Sequence, residues 1–213
     1  MSRLGFYGGS FDPPHLGHLA IARAVTEQFS LDEFVFIPAF HAPHKVRLKP
    51  TPPIDRYAML CLATNEDPQI TVSRIEIEAP HRPYSVETLT RLNEELADDD
   101  LFFVIGADSW MDITTWREWE RVLTLANIIV VTRPGVEIGF DQVTDEIRSR
   151  IVDIRGSLTV PDHRDRKIYF TDIVQIDVSA TDIRRKVREG DGSWQDNVPA
   201  EVAKYVEKYQ IYT

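Results

Sequence analysis

Two histidines stand three residues apart in a segment rich in glycine and proline near the start of the chain. Residues 8–18 have the sequence Gly-Gly-Ser-Phe-Asp-Pro-Pro-His-Leu-Gly-His, which contains His15 and His18. An apolar run precedes this segment and an amphipathic stretch follows it, so the pattern predicts a strand, a tight turn and the start of a helix. Backbone N–H groups at a helix N-terminus bind anions, and residues i and i+3 share one helix face. Both imidazoles can therefore point at one bound phosphate.

Other interpretations of the histidine pair leave the neighbouring glycines and prolines unexplained. A His-x-x-His pair also fits a surface pair or half of a zinc site, but zinc needs three or four ligands. The segment has neither the Gly-Lys-Ser/Thr of a Walker A loop nor the Gly-x-Gly-x-x-Gly of a dinucleotide-binding turn. Phosphate binding by the glycine turn and the two histidines is the hypothesis that explains the whole segment.

A second candidate element for phosphate binding lies at residues 177–184, Asp-Val-Ser-Ala-Thr-Asp-Ile-Arg. We expect Ser179 to cap a helix whose first N–H groups meet phosphates, and Arg184 to add a fixed positive fork. Taken alone, Ser-x-Thr-x-x-Arg is an ordinary helix start. Its value comes from the α/β pattern that separates it from the first motif.

These two motifs together resemble the nucleotidyltransferase superfamily, whose members carry His-x-Gly-His and Ile-Ser-x-Thr-x-Ile-Arg elements. Segments between them resemble bacterial nicotinate-mononucleotide adenylyltransferases: residues 43–45 (Pro-His-Lys), 83–89 (Pro-Tyr-Ser-Val-Glu-Thr-Leu), 105–109 (Ile-Gly-Ala-Asp-Ser) with Trp116 behind, and 132–135 (Thr-Arg-Pro-Gly). The resemblance covers nearly the whole chain. It implies an enzyme of NAD biosynthesis that condenses ATP with nicotinate mononucleotide to give deamido-NAD and pyrophosphate.

The resemblance also implies roles for individual residues, in a direct in-line transfer without a covalent intermediate. The implied catalytic residues are His15, His18, Lys45 and Arg184. The residues implied to bind ATP are Gly8, Gly9, Ser10, Phe11, His15, His18, Gly106, Asp108, Ser109, Ser179, Thr181 and Arg184. The residues implied to bind nicotinate mononucleotide are Lys45, Tyr84, Ser85, Trp116, Arg117 and Arg133. Mg²⁺ is the expected cofactor, bound through ATP phosphates and not by a dedicated carboxylate cage.

Two of these residues bear on the choice of substrate. Trp116 is expected to stack on the pyridine ring, although a tryptophan in an amphipathic helix is more often part of a core. Ser85 is expected to begin a helix whose dipole favours the nicotinate carboxylate over an amide. The alternatives are an adenylyltransferase of the same fold acting on nicotinamide mononucleotide or phosphopantetheine, and a non-catalytic nucleotide-binding protein. Which of His41, His44 and Lys45 touches a ligand stays open.

Apolar runs that alternate with helical patterns predict the scaffold that must position these residues. Buried parallel strands are predicted at residues 4–7, 33–38, 101–106 and 128–132, with further strands at 70–77, 167–170 and 173–177. Helical spacing of apolar residues predicts helices at 16–29, 53–66, 86–96, 143–154 and 198–209.

The alternation of strands and helices predicts one doubly wound α/β domain over residues 1–213. We expect a mostly parallel sheet in a Rossmann-like nucleotidyltransferase fold, with the second motif and C-terminal helices at about residues 173–213. Ligands bind at the carboxyl ends of the strands in such a sheet, where the predicted site residues lie. Residues 38–53 are predicted to form a loop, either a mobile lid or a static one.

Composition and charge limit the partners of the chain. A net charge of −10 disfavours nucleic acid, so we expect the positive groups that hold anionic substrates to converge in one cleft: His15, His18, Lys45, Arg133 and Arg184. No apolar run approaches a membrane span, and no signal peptide or membrane partner is expected. Cys61 is the single cysteine and is predicted to be core, which fits a cytoplasmic protein. The sequence leaves the oligomeric state open.

Overall fold

Parallel strands form one sheet through the centre of the protein. The computed structural model describes residues 1–40, 51–132, 138–161, 165–176 and 178–213. The strands in these ranges are β1 (Arg3–Gly9), β2 (Glu33–Pro38), β3 (Ile70–Val72), β4 (Asp100–Gly106), β5 (Asn127–Val131), β6 (Ile151–Asp153) and β7 (Ile168–Thr171). They pair in the order β3-β2-β1-β4-β5-β7-β6, and every pair is parallel. This confirms the predicted doubly wound α/β sheet.

Helices cover both faces of this sheet. They are α1 (Leu16–Gln28), α2 (Pro53–Thr64), α3 (Ser85–Glu95), α4 (Ala107–Met111), α5 (Trp119–Leu125), α6 (Asp145–Arg148), α7 (Ala180–Glu189) and α8 (Ala200–Lys208), with 3-10 turns at Ile113–Thr115 and Gly192–Asn197. Successive residues of β4 alternate between two cores: Phe102 packs with α1 and α2, whereas Phe103 packs with α3 and α4.

The order of the strands reverses between β1 and β4, which fixes where a ligand can bind. The chain runs outward from β1 through β2 to β3, then returns to β4 on the other side of β1 and continues to β5. Tyr7 lies opposite Val104 in this pairing, so both strands end at the same edge of the sheet. Diverging connections leave a crevice at such a point.

Two secondary-structure predictions in the C-terminal half of the chain are wrong. The predicted helix at 143–154 is only the single turn α6, and β6 follows as an edge strand beside β7. Its apolar residues serve both cores, since Ile147 packs on one face and Ile154 on the other. The predicted strand at 173–177 is absent from residues 173–176, where the Thr171 hydroxyl accepts the Ile173 N–H and ends the strand.

Helix α2 begins at the predicted residue and ends two residues earlier than predicted, and it buries a different face. Its buried residues include Arg56, Met59 and Leu60, while Cys61 is half-buried and Ile54 is 60% exposed. The prediction that Cys61 is core is therefore wrong. Apolar spacing does not identify this face, because it includes a charged residue, Arg56.

Helix α1, which follows the first motif, agrees with its prediction to within one residue, whereas the predicted strand at 70–77 forms only over residues 70–72. Across the described ranges, no helix is both long and apolar enough to cross a lipid bilayer.

Candidate active site

The turn after β1 brings the two histidines together at the start of α1. His15 is the N-cap residue and is 5% exposed. Its backbone N–H donates to Nδ1 of His18 at 3.2 Å, and the two rings stack with their centroids 3.6 Å apart. Because Nδ1 of His18 accepts this hydrogen bond, a neutral His18 ring carries its proton on Nε2. The pair lies on one helical turn, as the spacing predicts.

Gly17 lies close to the His15 ring and to the second sequence motif. A Cβ atom added at Gly17 would lie 3.1 Å from the His15 ring and 3.9 Å from Cβ of Val178, which precedes α7. The first distance is tighter than an ordinary van der Waals contact, so His15 would have to move. A larger residue between the histidines would therefore displace the His15 ring by a few tenths of an ångström.

Arg184 on α7 connects the second motif to the first. Its Nη1 donates to the backbone carbonyl of Asp12 at 2.6 Å, and its Nη2 donates to Oγ1 of Thr181 at 3.2 Å. Ser179 occupies the N-cap position of α7, as predicted, but its side chain accepts no capping hydrogen bond. The N-terminal turn of α7 therefore lies beside the turn that carries His15.

A small cavity of about 40 Å³ lies between these motifs, and we name it the histidine cavity. Its lining includes His15, His18, Gly106 at the end of β4, and Val178. Thr132, just beyond β5, completes one wall. The cavity thus occupies the carboxyl edge of the sheet on the face covered by α1 and α7.

A larger cavity of about 320 Å³ lies on the face covered by α3 and α4, and we name it the aromatic cavity. Its lining includes every described residue predicted to contact the mononucleotide, together with the glycine end of β1: Gly8, Gly9, Ser10, Tyr84, Ser85, Trp116 and Arg117. The Arg117 guanidinium lies 4.9 Å from the centre of the Tyr84 ring. Trp116 stands in extended backbone between a 3-10 turn and α5, not within a helix.

Other residues predicted to bind ATP lie outside the histidine cavity. Ser109 lines the aromatic cavity and not the histidine cavity, while Asp108 is exposed on α4 and lines neither. The Phe11 ring is 2% exposed and packs 4.9 Å from the His18 ring, so it supports the turn from within the core. Lys45 and Arg133 lie outside the described residues, as do His41 and His44.

Arg56 is buried beside the candidate site, and no pattern in the surrounding sequence predicts this burial. Its side chain is 2% exposed and donates to the carbonyls of Ser10 at 2.6 Å and Thr51 at 3.1 Å, and also to those of Ala39 and Phe40. Burial lowers the pKa of Arg56, and the nearby Asp12 carboxylate opposes this shift. Arg56 therefore ties the ends of β1 and β2 to the start of α2.

Glu76 brings a negative charge to the aromatic cavity. It lines this cavity, and its Oε1 accepts a hydrogen bond from the Thr88 hydroxyl at 2.9 Å. Burial raises the pKa of Glu76, whereas hydrogen bonds from Thr88 and the Phe40 backbone act in the opposite direction. Like charges repel in a poorly solvated site, so this wall disfavours a second carboxylate.

Comparison with known proteins identifies the family. The profile of the cytidylyltransferase-like family matches residues 6–186, which include both motifs. A protein of Thermus thermophilus, described as a probable nicotinate-nucleotide adenylyltransferase, is 38% identical over 210 residues that cover 99% of each chain. A protein of Thermomicrobium roseum with the same description is 37% identical over 212 residues, covering 100% of this chain and 92% of that one. The chain belongs to the nicotinate-nucleotide adenylyltransferase family.

A solved structure of another adenylyltransferase shares the fold of this chain. The nicotinic acid mononucleotide adenylyltransferase of Plasmodium falciparum, determined in complex with NaAD, superposes with a TM-score of 0.74. The match covers 100% of this chain and 98% of that chain at 16% identity. At this identity the similarity establishes the common fold, and the roles of individual residues rest on the geometry above.

Proposed function

We propose that this protein transfers the adenylyl group of ATP to nicotinate mononucleotide, giving deamido-NAD and pyrophosphate in NAD biosynthesis. One observation carries the proposal: the aromatic cavity, with Trp116 and the first turn of α3, opens beside the glycine end of β1, next to the histidine turn. The full-length relatives named as probable nicotinate-nucleotide adenylyltransferases support the same activity.

The two cavities suggest how two anionic substrates would meet. In this proposal ATP lies on the side of the histidine cavity, and the mononucleotide fills the aromatic cavity. Gly8 and Gly9 line the aromatic cavity and Tyr7 lines the histidine cavity, so both phosphate groups would meet over the carboxyl end of β1. This position is the point where the strand order reverses, which is the usual site for ligands in such sheets.

Adenylyl transfer between these positions needs positioning and charge stabilisation. A phosphate oxygen of the mononucleotide attacks the α-phosphorus of ATP, and the bond to the bridging oxygen breaks as pyrophosphate leaves. The attacking phosphate is already ionised at neutral pH, so no general base is needed to create it. His18 would donate to the reacting phosphate, and Arg184 and the N-terminus of α7 would stabilise charge.

Mg²⁺ enters this proposal as part of the ATP substrate. Within the ranges that the structure describes, no group of three or more His, Cys, Asp or Glu side chains is arranged to hold a metal. Mg²⁺ keeps several waters and takes phosphate oxygens as ligands, so ATP phosphates can hold it with little help from the protein. Bound there, the ion would neutralise phosphate charge.

The charges around the aromatic cavity support a preference for the nicotinate carboxylate. Helix α3 begins at Ser85, and the first N–H groups of a helix have no partner within it. A carboxylate at this turn would meet donors and the positive end of the helix dipole. Glu76 on another wall would repel it, so the proposed orientation places the carboxylate at Ser85 and away from Glu76.

A product assay tests the proposed reaction. The protein is mixed with ATP and Mg²⁺ and offered nicotinate mononucleotide, nicotinamide mononucleotide or phosphopantetheine in separate reactions. Pyrophosphate is followed continuously, and the dinucleotide is resolved by chromatography. We expect deamido-NAD to form far faster than the other products. Equal use of the amide would contradict the carboxylate site at Ser85, and no pyrophosphate with any acceptor would contradict adenylyl transfer.

Replacing Trp116 by alanine should chiefly weaken binding of the mononucleotide. Stacking of a base on an aromatic side chain is worth about 1–3 kcal/mol, so we expect the KM for nicotinate mononucleotide to rise roughly tenfold. Steady-state kinetics with each substrate varied in turn measures this effect. Trp119→Ala is the matched control, because Trp119 packs against the same core but does not line the cavity. A change in the KM for ATP alone would contradict stacking by Trp116.

A further inference from the structure

The segment that follows α8 turns back toward the histidine turn. Gln210 has a left-handed backbone with φ of 51°, its N–H donates to the Glu207 carbonyl, and the Ile211 N–H donates to the Val206 carbonyl at 3.0 Å. This is a Schellman arrangement, which ends a helix and redirects the chain. Tyr212 comes next, with φ of 73°, a conformation that costs energy for any residue with a side chain.

The Tyr212 hydroxyl meets the carboxylate of Asp12 in the turn before α1. It donates to Oδ1 of Asp12 at 2.6 Å, and the Thr51 N–H is a weaker donor to Oδ2 at 3.4 Å. Asp12 is 9% exposed, and a buried carboxylate needs donors to offset its lost hydration. Burial and the neighbouring Asp12 raise the pKa of Tyr212, so the phenol keeps its proton and remains a donor at neutral pH.

Asp12 also holds Arg184 through its backbone. The same residue that receives the Tyr212 hydroxyl offers its carbonyl to Nη1 of Arg184 at 2.6 Å. His15 follows three residues later, at the N-cap of α1. The direction of the Asp12 peptide therefore affects both Arg184 and the entry into α1, and Tyr212 contributes the shortest hydrogen bond to its side chain.

We propose that Tyr212 is a positioning residue for adenylyl transfer, which acts through Asp12 to hold Arg184 and the histidine turn in their reactive arrangement. The inference rests on the proposed function. It explains why the chain keeps a left-handed backbone at residue 212, since the hydrogen bond and the packing of the ring on the core hold the residue there. Tyr212 itself lines neither cavity, so it is not expected to touch substrate.

Tyr212→Phe tests this role, with Tyr205→Phe as a matched control. Tyr205 on α8 donates to Oδ1 of Asp55 at 2.8 Å, so each variant removes one hydroxyl that donates to an aspartate, from α8 in one case and from the segment after it in the other. We expect Tyr212→Phe to lower kcat roughly 10- to 100-fold with little change in either KM, because a small displacement of catalytic groups is costly. Tyr205→Phe should leave kcat unchanged. Thermal unfolding of both variants reports how much stability each one loses.

Arg184→Lys provides a second measurement that a purely structural role would not change. If Tyr212 acts in part through Asp12 on Arg184, the kcat loss of the double variant should be smaller than the product of the two single losses, because part of the Tyr212 effect is already lost with the Arg184 guanidinium. Multiplying losses would overturn the proposal, and so would equal kcat values for Tyr212→Phe and Tyr205→Phe. A wild-type protein that releases no pyrophosphate would instead contradict the proposed function, so the two failures are distinguishable.

Discussion

His18→Ala should lower kcat by on the order of 10²-fold or more, which is the scale for losing one preorganised donor to a reacting oxyanion. The structure explains why His18 suits this role. Its Nδ1 accepts the His15 backbone N–H, so a neutral ring presents an N–H at Nε2 as a donor. The ring is also fixed by stacking on His15 and by the edge of Phe11.

The control for His18 is a histidine outside both cavities. His81 has a side chain that is 72% exposed and contacts Glu87 at 3.9 Å, and its replacement by alanine should leave kcat unchanged. The assay follows pyrophosphate with both substrates saturating, so that only the reacting complex is compared. Near-normal kcat in His18→Ala would remove this residue from the mechanism, whatever the effect on KM.

Arg56→Met should lower the free energy of unfolding by about 3–5 kcal/mol, because it removes a buried charge that several groups depend on. Methionine fills similar space but leaves the carbonyls of Ser10, Ala39 and Thr51 without their donor. It also removes a positive charge that interacts with the buried Asp12 carboxylate. Each unsatisfied buried group adds to the cost. Because these carbonyls flank the ends of β1 and β2, activity should fall as well.

Urea denaturation measures the loss, and Arg23→Met is its matched control. Arg23 makes two hydrogen bonds to Asp67, at 3.1 and 2.7 Å, but its side chain is 57% exposed. An exposed ion pair contributes little, so this variant should lose less than about 1 kcal/mol. Similar losses in the free energy of unfolding for the two variants would show that burial does not determine how much Arg56 contributes to stability.

Local sequence patterns predicted the parts of this protein that depend on neighbouring residues. The i,i+3 spacing of His15 and His18 placed both rings on one helical turn, and apolar runs located β1, β2, β4 and β5. Ser179 was correctly placed at the start of α7. These features follow from backbone periodicity and helix capping, which act over a few residues.

Patterns failed where distant segments compete for the same residues. Apolar spacing at 143–154 fits a helix, but pairing with β7 makes residues 151–153 an edge strand. Spacing in α2 pointed to Cys61 as core, whereas the buried face includes Arg56. A buried arginine is stable only where carbonyls and a carboxylate surround it, and no local pattern shows that those partners come from β1, β2 and residue 51.

The sequence by itself determined the family, the alternation of strands and helices in the first two thirds of the sheet, and the chemical groups available for binding phosphate. The tertiary structure decided which of these groups meet. It set Ser109 in the aromatic cavity and brought Tyr212 onto Asp12 from 200 residues away. The physical reason is that spacing along the chain fixes only the periodicity of local elements. Contacts between elements depend on how the sheet orders its strands and on which buried polar groups can satisfy one another.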